Sequence, residues 1–292
     1  MTALDNLSTH AGTMYSPTQG GMLERIAKLL AKAENASTQE EAESYFAEAQ
    51  ELATLHQISL AEAAAHHPDQ KAKSVLTHRT ITIGERGKQV NSHLVYLFSV
   101  IALQNDVTIN IAHNSTYVIA FGHSDDIDAV ELMWSRIAPI MVRMGEQYLK
   151  TDEWRGETEY RSKRVKVEGW YRDYYEEIWD HYPVTKQSAR ASYYQGFRQA
   201  LGERLRKQRK ETIAQAQQAH DEAGDGVSTD LVLVNKAALV KDYYKEHSTA
   251  RGSYRGGRSG GSGRAANAGH RDGSRVSLSG ASIGGSRKGL SA

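Results

Sequence analysis

From Leu23 the chain carries an apolar residue every three or four positions. Leu23, Ile26, Leu29, Leu30 and Ala33 come first, and beyond a polar break Ala42, Tyr45, Phe46, Ala49 and Leu52 follow. That spacing puts one apolar stripe on each of two helices. Two stripes so close in sequence bury each other, which predicts a helical hairpin. Asn35-Ala36-Ser37-Thr38 supplies its turn, and Ser37 with Glu40, or Thr38 with Glu41, forms a capping box for the second helix. Ser59 with Glu62 repeats the device and predicts a third helix, which His66-His67-Pro68 ends, because proline lacks a donor and biases its predecessor away from helix.

The pattern then shortens. Val75 to Ile83 alternates, with Val75, Thr77, Arg79, Ile81 and Ile83 on one face, and predicts a strand. Val90, Leu94, Leu97, Phe98 and Ile101 predict a helix from about Lys88 to Gln104. Asp106 to Ala112 and Thr116 to Phe121 predict a hairpin around His113-Asn114-Ser115. Ile127, Val130, Trp134, Ile137, Met141, Met144 and Tyr148 mark a long helix capped by Ser124, with Asp125, Asp126 and Asp128 in the first turn and a kink expected from Pro139. Between Glu153 and Pro183 eight Trp and Tyr residues alternate with charges; much of this stretch is expected to be helical, broken at Gly156 and Gly169. A helix from Lys186 to Ala223 with Tyr194, Phe197, Leu201 and Leu205 inward, a strand over Thr229 to Val234 and a helix over Lys236 to Glu246 complete the body.

Beyond Thr249 lie 12 of the 25 glycines. Such a Ser/Gly/Arg-rich segment buries too little surface to offset its entropy, save where Ala265-Ala266 with Ala268, Val276 with Leu278, or Ile283 near Leu290 pack on the body. The expectation is thus a helix-dominated α+β chain. A flexible lead-in covers 1–20, a helical hairpin 21–67, and a domain with a small sheet covered by long helices 75–248. A flexible basic Gly/Ser/Arg-rich tail occupies 249–292.

The N-terminal pattern is a short Leu-rich helix, then an Ala/Glu-rich helix entered through a Thr/Ser-x-x-Glu box and containing Ala-x-x-Leu, then His56-Gln57-Ile58-Ser59. It resembles the family catalogued as domain of unknown function 2786. Tyr194-x-x-Phe197 with Gly196, and the Gly/Arg-rich end, look loosely like the distal part of proteins carrying that domain. The resemblance implies a protein of a phage, prophage or mobile element and assigns no functional residues.

Charge changes the picture more than composition does. The net charge is +1, yet residues 1–70 carry three basic and ten acidic side chains, while residues 251–292 carry eight basic and one acidic. A cationic end of this kind suits a polyanion. The absence of cysteine removes disulfides, thiolate zinc sites and a cysteine nucleophile. No apolar run reaches the roughly 20 residues of a membrane span, and the N-terminus has no signal-peptide pattern, so a cytoplasmic chain without a membrane partner is expected.

Candidate chemistry is sparse. His113 and His123 flank the second hairpin strand and Asp126 follows, the only grouping that suggests a catalytic or metal cluster. Helix initiation explains the same residues, and neither a metal nor a cofactor is expected. Zincin, nucleophile-elbow, P-loop and Rossmann patterns are absent. For nucleic acid, Tyr254, Arg255, Arg258 and Arg264 make an RGG-like tail, and Arg204, Arg206, Lys207, Arg209 and Lys210 a basic helical stretch, with the aromatic and basic residues from Trp154 to Arg172 as a stacking surface. The leading expectation is a non-enzymatic accessory protein contacting DNA or RNA through its basic tail. The alternative is a module binding a host protein through the acidic N-terminal helices, with Glu40, Glu41, Glu43, Glu48 and Glu51 outward; a metal-dependent hydrolase stands third.

Overall fold

The computed structural model describes residues 17–66, 75–223, 228–252, 254 and 261–276, with backbone alone for 17–20, 60 and 62–66. Helices α1 (Pro17–Asn35) and α2 (Gln39–His66) form the expected hairpin. Of the two capping boxes foreseen at its turn, the Thr38 one is used: Glu41 N–H donates to Thr38 Oγ1 at 3.1 Å, and the Glu41 carboxylate accepts from Ser37 N–H at 3.1 Å. The expected third helix is not separate, because α2 runs through Ser59 and Glu62. Nothing in Thr54 to Ile58 breaks the helix, and Gln57 and Ile58 are buried there.

Strands β1 (Leu76–Thr82), β2 (Thr108–Ile111) and β3 (Tyr117–His123) make an antiparallel sheet in the order β1-β3-β2. Ile81 faces Val118 and Arg79 faces Ala120, so one face is apolar and lies against α3 (Val90–Leu103) and α4 (Ser124–Lys150). The other face carries Phe121 and Asn110, and α6 (Thr229–His247) covers it: Tyr244 meets the Phe121 ring edge-on at 5.1 Å and donates its hydroxyl to Asn110 at 2.7 Å. That cover reaches β2 and the end of β3, whereas Thr80 and Thr82 of β1 stay exposed on the same side. Residues expected as a strand, Thr229 to Val234, are the first turns of α6. Ser228 caps them by accepting from Leu231 N–H, and burial of Val232 and Leu233 outweighs the β-propensity of the run. His123, not Ser124, occupies the cap position of α4, which continues unbroken past Pro139.

The second correction falls between 158 and 183. Instead of helix, the chain forms β4 (Thr158–Val167) and β5 (Tyr174–Pro183), an antiparallel hairpin in register from Thr158 opposite Pro183 to Val167 opposite Tyr174. Opposite charges meet across the strands, Arg161 beside Asp180 and Arg164 beside Glu177, and favour this register. Gly169 opens the connecting loop, where a Cβ would strike the Arg172 carbonyl.

Helix α5 (Lys186–Ala223) has the predicted bounds. Against it packs α7 (Gly263–Ser274), formed by the Ala265 to Ala268 stretch that the sequence marks as able to pack on the body. The two helices cross so closely that a Cβ on Gly269 would collide with the Tyr193 carbonyl and one on Gly273 with the Phe197 carbonyl. One core joins α1 and α2 to the rest, running from Ile26 and Phe46 through Phe98, Met133 and Tyr193 to Val276. Among the described residues no helix is long and apolar enough to cross a membrane.

Candidate functional site

The acids at the start of α4 each reach a different element. Asp125 holds His56 of α2 at 3.1 Å, Asp128 pairs with Arg79 of β1, and Asp126 meets Lys236 of α6 at 2.7 Å. Asp126 and Lys236 are both almost wholly buried. Burial pushes the Asp126 carboxyl up, and Lys236 acts against that rise. His113 is exposed in the turn before β3 and His123 ends that strand, so a strand length of about 20 Å separates them. No ion spans that gap, and among the described residues no three His, Cys, Asp or Glu side chains are placed to hold a metal.

The basic candidates divide in the same way. Arg209 donates to the Gln104 carbonyl and to both oxygens of Asp106, at 2.7 and 2.8 Å. Arg204 donates to the carbonyls of Val276 and Glu43 and lies over the Phe46 ring. Tyr254 shares a hydrogen bond of 2.7 Å with Ser115 and meets Tyr96 edge-on. Arg264 donates to the Glu153 carbonyl at 3.2 Å, and its backbone N–H to Glu157 at 3.0 Å. Arg206, Lys207 and Lys210 point outward, Lys207 within 3.9 Å of Glu211. Arg255 and Arg258 lie outside the described residues. On the N-terminal hairpin, Glu48 and Glu51 share a crease with Arg25, Lys28 and Lys32, so that face is mixed in charge.

The hairpin β4–β5 is the feature the sequence did not foresee. Its ten-residue strands make a ribbon about 33 Å long. Only its base is fastened: Glu157 accepts from Ser262 and from Arg264 N–H, Glu159 accepts from Ser188 at 2.6 Å, and Val184 N–H donates to the Glu157 carbonyl. Among the described residues neither strand lies along another element beyond the base. Trp154 is buried in the core, but Trp170 and Tyr171 at the tip are each 97% exposed, and Tyr160, Tyr174, Tyr175, Ile178 and Trp179 are all more than 40% exposed. Tyr160, Tyr175 and Trp179 share one face, where the Tyr160 and Trp179 rings lie 5.6 Å apart and Arg164 covers Tyr175 at 4.7 Å.

At the foot of the ribbon a cleft of about 880 Å³ lies between the starts of α3 and α5, the C-terminal half of α4 and β4. Its charges are paired, Arg190 with Glu146 at 2.8 Å and Arg161 with Glu159 at 3.3 Å. His93 accepts at Nδ1 from Arg198, and burial, helped by Arg198 and Arg190, lowers its pKa to about 4. A ring held neutral so far below pH 7 is poorly matched to proton transfer. Burial raises Tyr194 to about 12, and its hydroxyl has no hydrogen-bond partner among the described residues. Of the hydroxyls lining the cleft, Ser188 donates to the Glu159 carboxylate at 2.6 Å.

Residues 21–60 match the family described as Protein of unknown function (DUF2786), which covers α2 as far as its last turns and most of α1. No curated protein and no solved structure matches the chain.

Proposed function

We propose that the chain is a non-enzymatic interaction protein whose contact element is the ribbon β4–β5, set on a body that includes the DUF2786-like hairpin. The observation that carries this is the exposure of Trp170, Tyr171, Tyr175 and Trp179, interleaved with arginines, on an element that no other part of the described fold covers. Aromatic residues and arginine are what protein interfaces concentrate, and tryptophan and tyrosine anchors supply most of their binding energy. Five basic and six acidic side chains between 158 and 183 leave the ribbon without the cationic excess that a polyanion needs. Affinity recovery of the full chain from its native cells, against Trp170→Ser and Trp179→Ser variants, tests the reading. Partner recovery should fall at least tenfold in both. Recovery that is unchanged in the variants overturns it.

Exposure of Arg206, Lys207 and Lys210 on α5 favours nucleic acid as a second reading, in an accessory protein of the phage or mobile-element type that the N-terminal resemblance implies. Filter binding at two salt concentrations separates the two: a contact through these cations weakens steeply with salt and is lost in the triple glutamine variant.

A further inference from the structure

We infer that the aromatic face of the ribbon binds a second copy of this chain, the two ribbons stacked about a two-fold axis parallel to their strands. The inference rests on the ribbon being a protein-binding element and adds the identity of its partner. Its basis is the division of charge on that face: β4 presents Arg164 and Lys166 there and β5 presents Glu177, while Glu159, Arg161, Lys163, Glu176 and Asp180 lie on the other face.

A two-fold axis along the strands lays β4 of one copy over β5 of the other at the same height. Each residue then faces its own cross-strand neighbour in the second copy. The register pairs Arg164 with Glu177 and Lys166 with Tyr175, so Arg164 meets the second Glu177 twice over and Lys166 meets the second Tyr175 ring. A two-fold across the strands sets β4 on β4 and β5 on β5, which takes Arg164 away from Glu177 and forfeits both inter-copy ion pairs. The face is free to be covered: Glu159 and Tyr182, at the base of the other face, are half-buried against the body, while Tyr160, Trp179 and Tyr175 are 63%, 57% and 58% exposed. A ribbon about 33 Å long and about 10 Å wide buries roughly 700 Å² in all, below the 1,200 Å² of stable complexes, so the dimer is weak and concentration-dependent.

Sedimentation equilibrium of the full chain across a wide concentration range tests this. The wild type should associate reversibly to a dimer. Arg164→Glu and Glu177→Arg should each weaken association about tenfold, since both inter-copy pairs become repulsive. An equimolar mixture of the two variants should recover it, because mixing restores the pairs between copies and not the pair within one hairpin. Lys163→Glu, on the opposite face, should leave association within twofold of wild type. Should a single variant fail to fold, the double variant R164E/E177R keeps the cross-strand pair within the hairpin; it should associate with itself and not with wild type. A wild type that stays monomeric throughout, a mixture that does not recover, or a double variant that pairs freely with wild type overturns the inference. The ribbon reading fails separately, only when partner recovery ignores Trp170 and Trp179.

Discussion

Lys236→Met separates what the α4 clasp contributes from what the surrounding core contributes. The substitution removes the cation and keeps most of the volume, leaving Asp126 buried without the charge that opposes its desolvation. Breaking a buried ion pair from one side costs about 3–5 kcal/mol, because the remaining charge is uncompensated. At about 2–4 °C per kcal/mol that lowers the melting temperature by about 6–20 °C. The loss is also pH-dependent, with a definite sign. Burial already raises the Asp126 pKa, and removing Lys236 raises it further. Above the unfolded-state pKa of about 3.9 the folded variant then binds more protons than the unfolded one, so its stability grows as pH falls toward 5 and shrinks as pH rises. Asp126→Asn in the same chain removes the stranded charge and should return part of the loss along with the extra pH slope. Urea unfolding at pH 5 and pH 7 of wild type, both single variants and the double variant measures the coupling. A Lys236→Met loss below about 1 kcal/mol, or one unaltered by Asp126→Asn, refutes the clasp as a coupled pair.

Three further outcomes are expected. His93 should titrate near 4 by NMR; since the unfolded chain takes up that proton near 6.5, stability should fall as pH drops from about 6.5 toward 4, and His93→Gln should remove that part of the acid sensitivity, whereas a midpoint at or above 6.5 counts against the buried neutral ring. Gly269→Ala forces a methyl into the Tyr193 carbonyl and should cost about 1–3 kcal/mol, read as faster proteolysis within 263–274; unchanged protection there would refute the close crossing of α5 and α7. Arg209→Met strands Asp106 and the Gln104 carbonyl and should cost about 2–4 kcal/mol, while the triple substitution of Arg206, Lys207 and Lys210 by glutamine should stay within about 0.5 kcal/mol each of wild type in urea unfolding.

The helices with sustained three-and-four spacing were legible from the sequence: α1, α3, α4 and α5 lie within a few residues of their expected bounds, and the β2–β3 hairpin sits around His113-Asn114-Ser115. The errors have physical causes. Thr229 to Val234 reads as a strand because local propensity favours one, but the run opens α6, where Thr229 N–H donates to Gln217 of α5 and Val232 and Leu233 are buried. The ribbon was missed because alternation of charged and aromatic residues with both faces exposed gives no apolar face to detect, leaving glycine positions as the only cue. In sequence the first turn of α4 reads as helix initiation or as part of a catalytic cluster, and only the tertiary fold shows three acids reaching α2, α6 and β1. Arg204 and Arg209 were likewise indistinguishable in sequence from Arg206, since a basic run does not reveal which residues face inward.

These placements together leave the ribbon as the part of the described fold with a need unmet by the chain itself. Of the cations expected to bind outside partners, Arg204 and Arg209 are engaged by carbonyls and Asp106 and Arg264 by the base of the ribbon, while Arg206, Lys207 and Lys210 stay outward on α5. A two-stranded hairpin standing alone is marginal in water, and both of its edges offer unpaired backbone groups. Mixed charge along β4 and β5 discourages indiscriminate edge pairing, yet it does not account for indole and phenol rings held open to solvent at Trp170, Tyr171 and Trp179. Apolar area of that size on a projecting element gains stability only when something covers it. If nothing does, hydrogen exchange in 158–183 should be as fast in concentrated solution as in dilute. Protection that grows with concentration, and is lost in Arg164→Glu, would identify the covering surface as another copy of the same face.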